Sequence, residues 1–150
     1  MNRESIARVQ RSHAALTARA VDLPSRFYER LFAADPVVRR LFPEDLTRLR
    51  AHFHAALALV VHNLDDVEVL AQSLRDLGVQ HVHWGAQPTH YFTVRDALVT
   101  ALKELSGDDW SAQLDQDWRD AIGTIASFML QGAAIETATV AETIRPVDPR

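Results

Sequence analysis

The chain has 150 residues, 47% of them hydrophobic and 24% charged, with a formal net charge of −4; one domain spanning 1–150 with a sizeable core is expected. The acidic balance and the lack of a basic stripe argue against a nucleic-acid partner. With no cysteine, disulfides, zinc-thiolate sites, iron–sulfur clusters and thiol nucleophiles are excluded together, and any metal must be held by His, Asp, Glu or Tyr. Arg3, Glu4, Arg8, Arg11 and Arg19 interrupt the amino-terminal region, leaving no apolar run of signal-peptide length. Ala55 to Val61, the most apolar stretch, is far too short to cross a bilayer. The expectation is a cytoplasmic chain without a membrane span.

Five glycines and six prolines punctuate the sequence, and apolar residues between them recur at three- and four-residue intervals, the period of helices. Ile6, Val9, His13 and Leu16 form one face of a first helix. Asp22 and Pro24 restart the chain, and Phe27, Leu31 and Phe32 give a second helix its inner face. Asp35-Pro36 opens a short third helix ending near Phe42-Pro43. A fourth runs from about Glu44 to His62, with Leu46, Leu49, Phe53, Leu57, Val60 and Leu64 as its stripe.

Asp65-Asp66 starts a shorter helix through Val67, Leu70, Leu74 and Leu77, which carries His81 at its far end. Pro88 opens the next, with Tyr91, Val94, Leu98, Ala101 and Leu102 on one side. Ser106-Gly107-Asp108-Asp109 is a turn, after which Trp110, Leu114, Trp118, Ile122, Ile125 and Met129 line a last long helix. The helical core covers about residues 3–137, and 138–150 reads as a frayed tail. No strand, repeat or linker interrupts this pattern. The fold class is all-α, seven or eight helices with short connections, the layout of helices packed pairwise around a cofactor.

His81 lies in Gln80-His81-Val82-His83-Trp84-Gly85-Ala86-Gln87-Pro88-Thr89-His90-Tyr91. A histidine at a helix end serves as a cation on the helix dipole. It can also be aimed at a haem iron by backbone about to leave the helix, its second ring nitrogen donating to a carbonyl one turn earlier. On the residues alone both readings stand.

The segment Phe27-Tyr28-Glu29-Arg30-Leu31-Phe32, with Asp35-Pro36, Leu41-Phe42, Gln80-His81 and Pro88-Thr89-His90-Tyr91, closely resembles the bacterial single-domain haemoglobins and the globin domain of flavohaemoglobins. The resemblance covers nearly the whole chain, with several motifs in the same order and at the same separations. It implies a globin fold around haem b (iron protoporphyrin IX), with His81 as the proximal iron ligand, Tyr28 as the distal tyrosine, Phe42 stacked on the porphyrin and Tyr91 on the proximal side. A neutral imidazole leaves the opposite axial position free for a diatomic gas. A phenol in an apolar pocket stabilises a partly negative ligand more than it would in water. Without the resemblance, Phe42 and Phe27 read as core residues and Tyr28 as a tyrosine whose hydroxyl reaches the surface.

Two registers are open for the distal helix. The ungapped one places Leu49 at the gate and Phe53 inward, with Leu46, Leu57 and Val61, as a buried face requires. A three-residue shift puts His52 at the gate and Ala56 one turn deeper. The first is preferred, which leaves His52 near the pocket rim, able to meet a propionate or swing in as a sixth ligand. His54 and His62 read as solvated. Gln80 and His83 flank the ligand and can reach a propionate; Val94 lines the pocket and His90 the outer face of its helix.

One departure from the resemblance limits the chemistry. The last-helix glutamate of flavohaemoglobins, which joins the proximal histidine and tyrosine and strengthens electron donation, aligns with Ala133, and Glu136 lies nearly one turn away. No glycine-rich dinucleotide motif is present, so redox turnover needs an external reductase. The leading expectation is reversible binding of dioxygen, or of NO and CO, by a monomer or homodimer. Nitric oxide dioxygenation with a separate reductase, a gas or redox sensor using His52, and a helical bundle without haem are the alternatives.

Overall fold

A computed structural model describes residues 1–143. Six α-helices carry the fold among the described residues: α1 (Arg3–Ala18), α2 (Leu23–Ala34), α3 (Thr47–His62), α4 (Ala71–His83), α5 (His90–Ser106) and α6 (Ala112–Thr143), with short 3-10 segments at Pro36–Leu41, Leu64–Leu70 and Gly107–Asp109. The expected third helix is therefore a 3-10 turn. The segment expected as one helix through Val67 and Leu77 divides into a 3-10 piece, non-helical at Asp66, and α4.

Caps explain most boundaries. Asn2 accepts from the Ser5 N–H and Asp22 from the Ser25 N–H, starting α1 and α2. Asp45 accepts from the backbone and hydroxyl of Thr47, so α3 begins at Thr47 rather than at Glu44. At the other end α6 runs to Thr143, six residues beyond the expected fraying point. Thr137, Thr139 and Thr143 each donate a hydroxyl hydrogen bond to the carbonyl one turn earlier, which ties these β-branched residues into the helix. The rest of the expected tail, 144–150, lies outside the described residues.

The core is continuous. Val9, Phe27, Leu31, Val99, Ala101, Leu102 and Trp118 are almost wholly buried, joining α1, α2, α5 and α6. The most extensive contact is between α4 and α6, followed by α2 against α5. At the α4–α6 crossing the two backbones touch: a Cβ on Gly78 would lie 1.8 Å from the Met129 carbonyl oxygen, and one on Gly132 would lie 2.0 Å from that of Arg75. Only glycine permits this approach.

Asp117, 1% exposed, is the one buried acid among the described residues. It accepts from Arg8 Nε and Nη2 of α1 and from the Gln113 amide, and the Arg8 guanidinium holds its carboxyl below the ordinary carboxylate value.

Gly78→Ala or Gly132→Ala is expected to cost about 3 kcal/mol or more, because backbone rather than a flexible side chain would have to yield; an unchanged denaturant midpoint would refute the close crossing. Because the folded state depresses the Asp117 pKa, its stabilisation is complete above the unfolded value and is lost as pH falls through the folded one. Asp117→Asn should therefore lower stability at neutral pH and flatten the acid limb below about pH 4, as read by thermal melts across pH.

Candidate functional site

His81 sits in the last turn of α4, and the helix end is closed around it. The Ala86 N–H donates to the His81 carbonyl and the Gly85 N–H to the Val82 carbonyl, a Schellman cap that requires the left-handed φ of +91° found at Gly85. The imidazole is fixed as well. His81 Nδ1 lies 2.7 Å from the Leu77 carbonyl oxygen; a carbonyl only accepts, so Nδ1–H donates and the lone pair stays on Nε2. Burial pushes the imidazole below its ordinary pKa, partly offset by that hydrogen bond. The ring is thus held neutral at neutral pH, oriented, and with one nitrogen free.

Aromatic side chains cluster around Tyr28. The Tyr28 ring is 5.0 Å from Phe27, 5.8 Å from Phe32, 5.7 Å from Phe42 and 6.1 Å from Phe53. Phe53 stacks on Phe27 at 4.6 Å, and Phe42 meets Phe32 edge-on at 5.3 Å. Burial raises the Tyr28 pKa, so the phenol keeps its proton and remains a donor. Arg39 positions Phe42: its guanidinium donates to the carbonyls of Phe42, Pro43 and Glu44 while lying over the Phe32 ring. The role of Arg39 is not legible in the sequence, where it is one basic residue of a turn.

On α3, Leu49 and Phe53 pack against the core, as do Leu46 and Leu57, whereas His52 and Ala56 are exposed. His54 and His62 are exposed too.

The second side of His81 is formed by α5 and α6. The Tyr91 ring lies 6.3 Å from the imidazole, and Val94 packs on the core one turn later. Ala133 is buried and brings no acceptor. Glu136 is not a substitute, since its carboxylate faces His83 Nε2 at 3.1 Å. The Tyr91 hydroxyl is accordingly buried without a hydrogen-bond partner, and burial raises its pKa. His83 and Gln80 are exposed, and His83 pairs with Glu136 of α6. His90 caps its own turn, its Nδ1 accepting from the Gln87 N–H. Trp84, 5.0 Å from His81, was missed in the sequence, although an aromatic one turn from a candidate ligand is a readable signal.

A globin family model matches residues 25–129. The chain belongs to the globin family. Among curated relatives it is 30% identical over 111 residues to a flavohemoprotein of Xylella fastidiosa, covering 72% of this chain and 28% of that one. To a flavohemoprotein of Rhizobium meliloti it is 29% identical over 107 residues, covering 69% and 26%. This globin thus spans about a quarter of the length of these relatives. Among solved structures it resembles an engineered carbene transferase whose Rhodothermus marinus parent is designated a nitric oxide dioxygenase, with a TM-score of 0.84 and 28% identity over 94% of this chain and 99% of that one. A bacterial globin from Campylobacter jejuni shares the fold at a TM-score of 0.80 and 21% identity, covering 91% and 99%.

Family membership implies haem, and the residues of this globin fit it. No group of three or more His, Cys, Asp or Glu is placed to hold a metal among the described residues, so protein alone would not satisfy an ion here. His81 offers one oriented, neutral nitrogen, and Phe42, Leu49, Phe53 and Val94 offer partly buried apolar surface, a donor set that suits a flat apolar group bringing the remaining metal ligands itself. No helix among the described residues is long and apolar enough to cross a membrane.

The unpaired Tyr91 hydroxyl has a measurable consequence. Deleting a buried donor that has no acceptor removes a desolvation cost of about 1 kcal/mol or more, so Tyr91→Phe should unfold at an equal or higher denaturant midpoint. A loss of stability above about 1 kcal/mol would show that the hydroxyl has a partner.

Proposed function

We propose that the globin holds haem b non-covalently with His81 as the axial iron ligand and binds a diatomic gas, dioxygen, NO or CO, beside Tyr28. The observation that carries this reading is the His81 ring, whose Nδ1–H is committed to Leu77, which leaves Nε2 with its lone pair. The lack of cysteine supports a haem without thioether links, hence type b. When bound, haem would supply an iron able to take such gases.

The chain's residues do the rest. His81 anchors and orients the group, and Phe42 stacks against it, held in place by Arg39. Leu49 and Phe53 keep the gas side apolar and exclude water. Tyr28 donates its phenolic proton to the gas from within low-dielectric surroundings, where such a bond is stronger than in water. Val94 and Tyr91 shape the other face. Leu49 offers no hydrogen bond, which leaves Tyr28 as the donor of this reading, and His52, exposed on α3, remains at the rim as the residue a sensor reading would use.

The test is reconstitution with haemin and optical spectroscopy. The parent should show a Soret band and a five-coordinate ferrous form, and His81→Ala should lose haem; unchanged haem content in His81→Ala overturns the assignment. Tyr28→Phe should release dioxygen about tenfold faster or more, the loss of a hydrogen bond to a partly charged ligand of about 1.5–3 kcal/mol, with stopped-flow dissociation as the readout.

A second reading, nitric oxide dioxygenation with a separate reductase as electron donor, is favoured by the flavohemoprotein relatives and by the Rhodothermus structure. Ala133 and the committed Glu136 leave His81 without carboxylate support, so turnover with an added reductase should be slower than that of a globin carrying the carboxylate. Ala133→Glu is the variant expected to raise it, and nitrate formed per NADH consumed is the measurement.

A further inference from the structure

A cavity of about 270 Å³ lies where α1 meets the turn between α5 and α6. It falls just below the roughly 300–1,000 Å³ of drug-sized sites, which suits a smaller molecule. Arg8 and Arg11 on α1 and Arg19 at its C-cap line one side. Arg8 is neutralised by the buried Asp117 carboxylate. Neither Arg11 nor Arg19 joins an ion pair among the described residues, and Arg19 donates to a neutral group, the Leu105 carbonyl, at 2.9 Å.

Hydroxyl donors line the rest. Ser106, 8% exposed, brings to the cavity a hydroxyl that finds no partner among the described residues. The unpartnered side-chain atoms sealed from solvent are the Tyr91 hydroxyl and Arg95 Nε, so the Ser106 hydroxyl is reached from the cavity. Ser12 Oγ accepts from Trp118 Nε1 and Ser111 Oγ from the Leu114 N–H, which leaves both hydroxyl protons to donate. Ser111 and Leu114 also bring the first turn of α6, the positive end of a 32-residue helix, to the cavity. Ala15, Leu16 and Leu114 are the apolar part of the lining, and Asp109 is its one acid. Two guanidiniums without a carboxylate and a buried hydroxyl without an acceptor lack the same thing, a compact anion.

We propose that this cavity binds the phosphomonoester of a small polyol. Its phosphate, with a charge of about −1.5 to −2 at neutral pH and three acceptor oxygens, accepts from Arg11, Arg19 and Ser106, while its carbon chain lies on Leu16 and Leu114. Asp109 repels a bare anion and accepts instead from a hydroxyl of the polyol, which favours the ester over inorganic phosphate. No residue of the lining belongs to the His81 site or to the aromatic cluster around Tyr28, so the site stands independently of gas binding.

Calorimetric titration of the purified full chain with ribose 5-phosphate tests it, at low salt because exposed guanidiniums are screened. Ribose 5-phosphate is expected to bind saturably at one per chain, and ribose and inorganic phosphate about tenfold more weakly or worse. Arg11→Gln and Ser106→Ala should each weaken the ester about fivefold. Ala15→Glu, at an exposed position of α1, sets a carboxylate four residues from both Arg11 and Arg19 and should weaken it about tenfold or more, with circular dichroism unchanged. Asp109→Ala should erase the preference over inorganic phosphate. Absence of saturable binding at millimolar ribose 5-phosphate overturns the proposal, as does ribose binding as tightly as its phosphate or an affinity that survives Ala15→Glu. Loss of the haem assay with ribose 5-phosphate binding intact would overturn the gas-binding reading alone.

Discussion

The backbone contact between α4 and α6 is the constraint on which the site depends. At Gly78 and Gly132 each helix presses into the place where the other's side chain would begin, so the separation of the two axes is set by main chain and not by adjustable side chains. Gly78 is three residues before His81, nearly one helical turn. Pinning α4 there and closing its end at Gly85 leaves the His81 backbone little freedom, and the Leu77 carbonyl then selects both the ring orientation and the tautomer. A helix end is otherwise the place where fraying is expected; here the Schellman cap and the ring hydrogen bond restrain it.

The opposite side is built on a different logic. Tyr28, Phe27, Phe32, Phe42 and Phe53 come from α2, the turn after it and α3, and they hold each other through ring contacts whose geometry is offset or edge-on, the arrangements aromatic quadrupoles favour. The turn between α2 and α3 has little regular hydrogen bonding of its own. Arg39 supplies it, donating to three successive carbonyls, and its remaining face lies on Phe32. One side chain thus satisfies a stretch of backbone that α3, starting only at Thr47, leaves unpaired.

Much of this was legible in the sequence, and the remainder was hidden for definable reasons. Apolar periodicity marked every α-helix, and the ordered set Tyr28, Phe42, His81 and Tyr91 carried the globin resemblance that the family match and the bacterial globin structures establish. The choice between Leu49 and His52 turns on a rotation of about 100° per residue along α3, which the stripe from Leu46 to Leu57 already preferred. Short turns were the weak point: a proline start at Pro36 is common to α- and 3-10 helices, so the sequence could not tell them apart. The extension of α6 to Thr143 was lost because threonine has low intrinsic helix propensity, whereas its hydroxyl can bond back to the helix. Pairings such as His83 with Glu136 and Arg8 with Asp117 join residues far apart in the chain, where no local signal exists.

Ala133 gives the two sides of the site unequal character. A carboxylate at that position would accept from Tyr91 and draw the proximal groups into one charged network. With alanine there, His81 donates to a neutral carbonyl, Glu136 is drawn off to His83, and Tyr91 keeps a buried proton with nothing to receive it. The polar deficit is local, continuing one turn along α5 to the buried Nε of Arg95. On the proposed reading, the strength with which this globin holds a gas therefore resides in the phenol of Tyr28 and its dry aromatic surroundings. The proximal side contributes position more than charge.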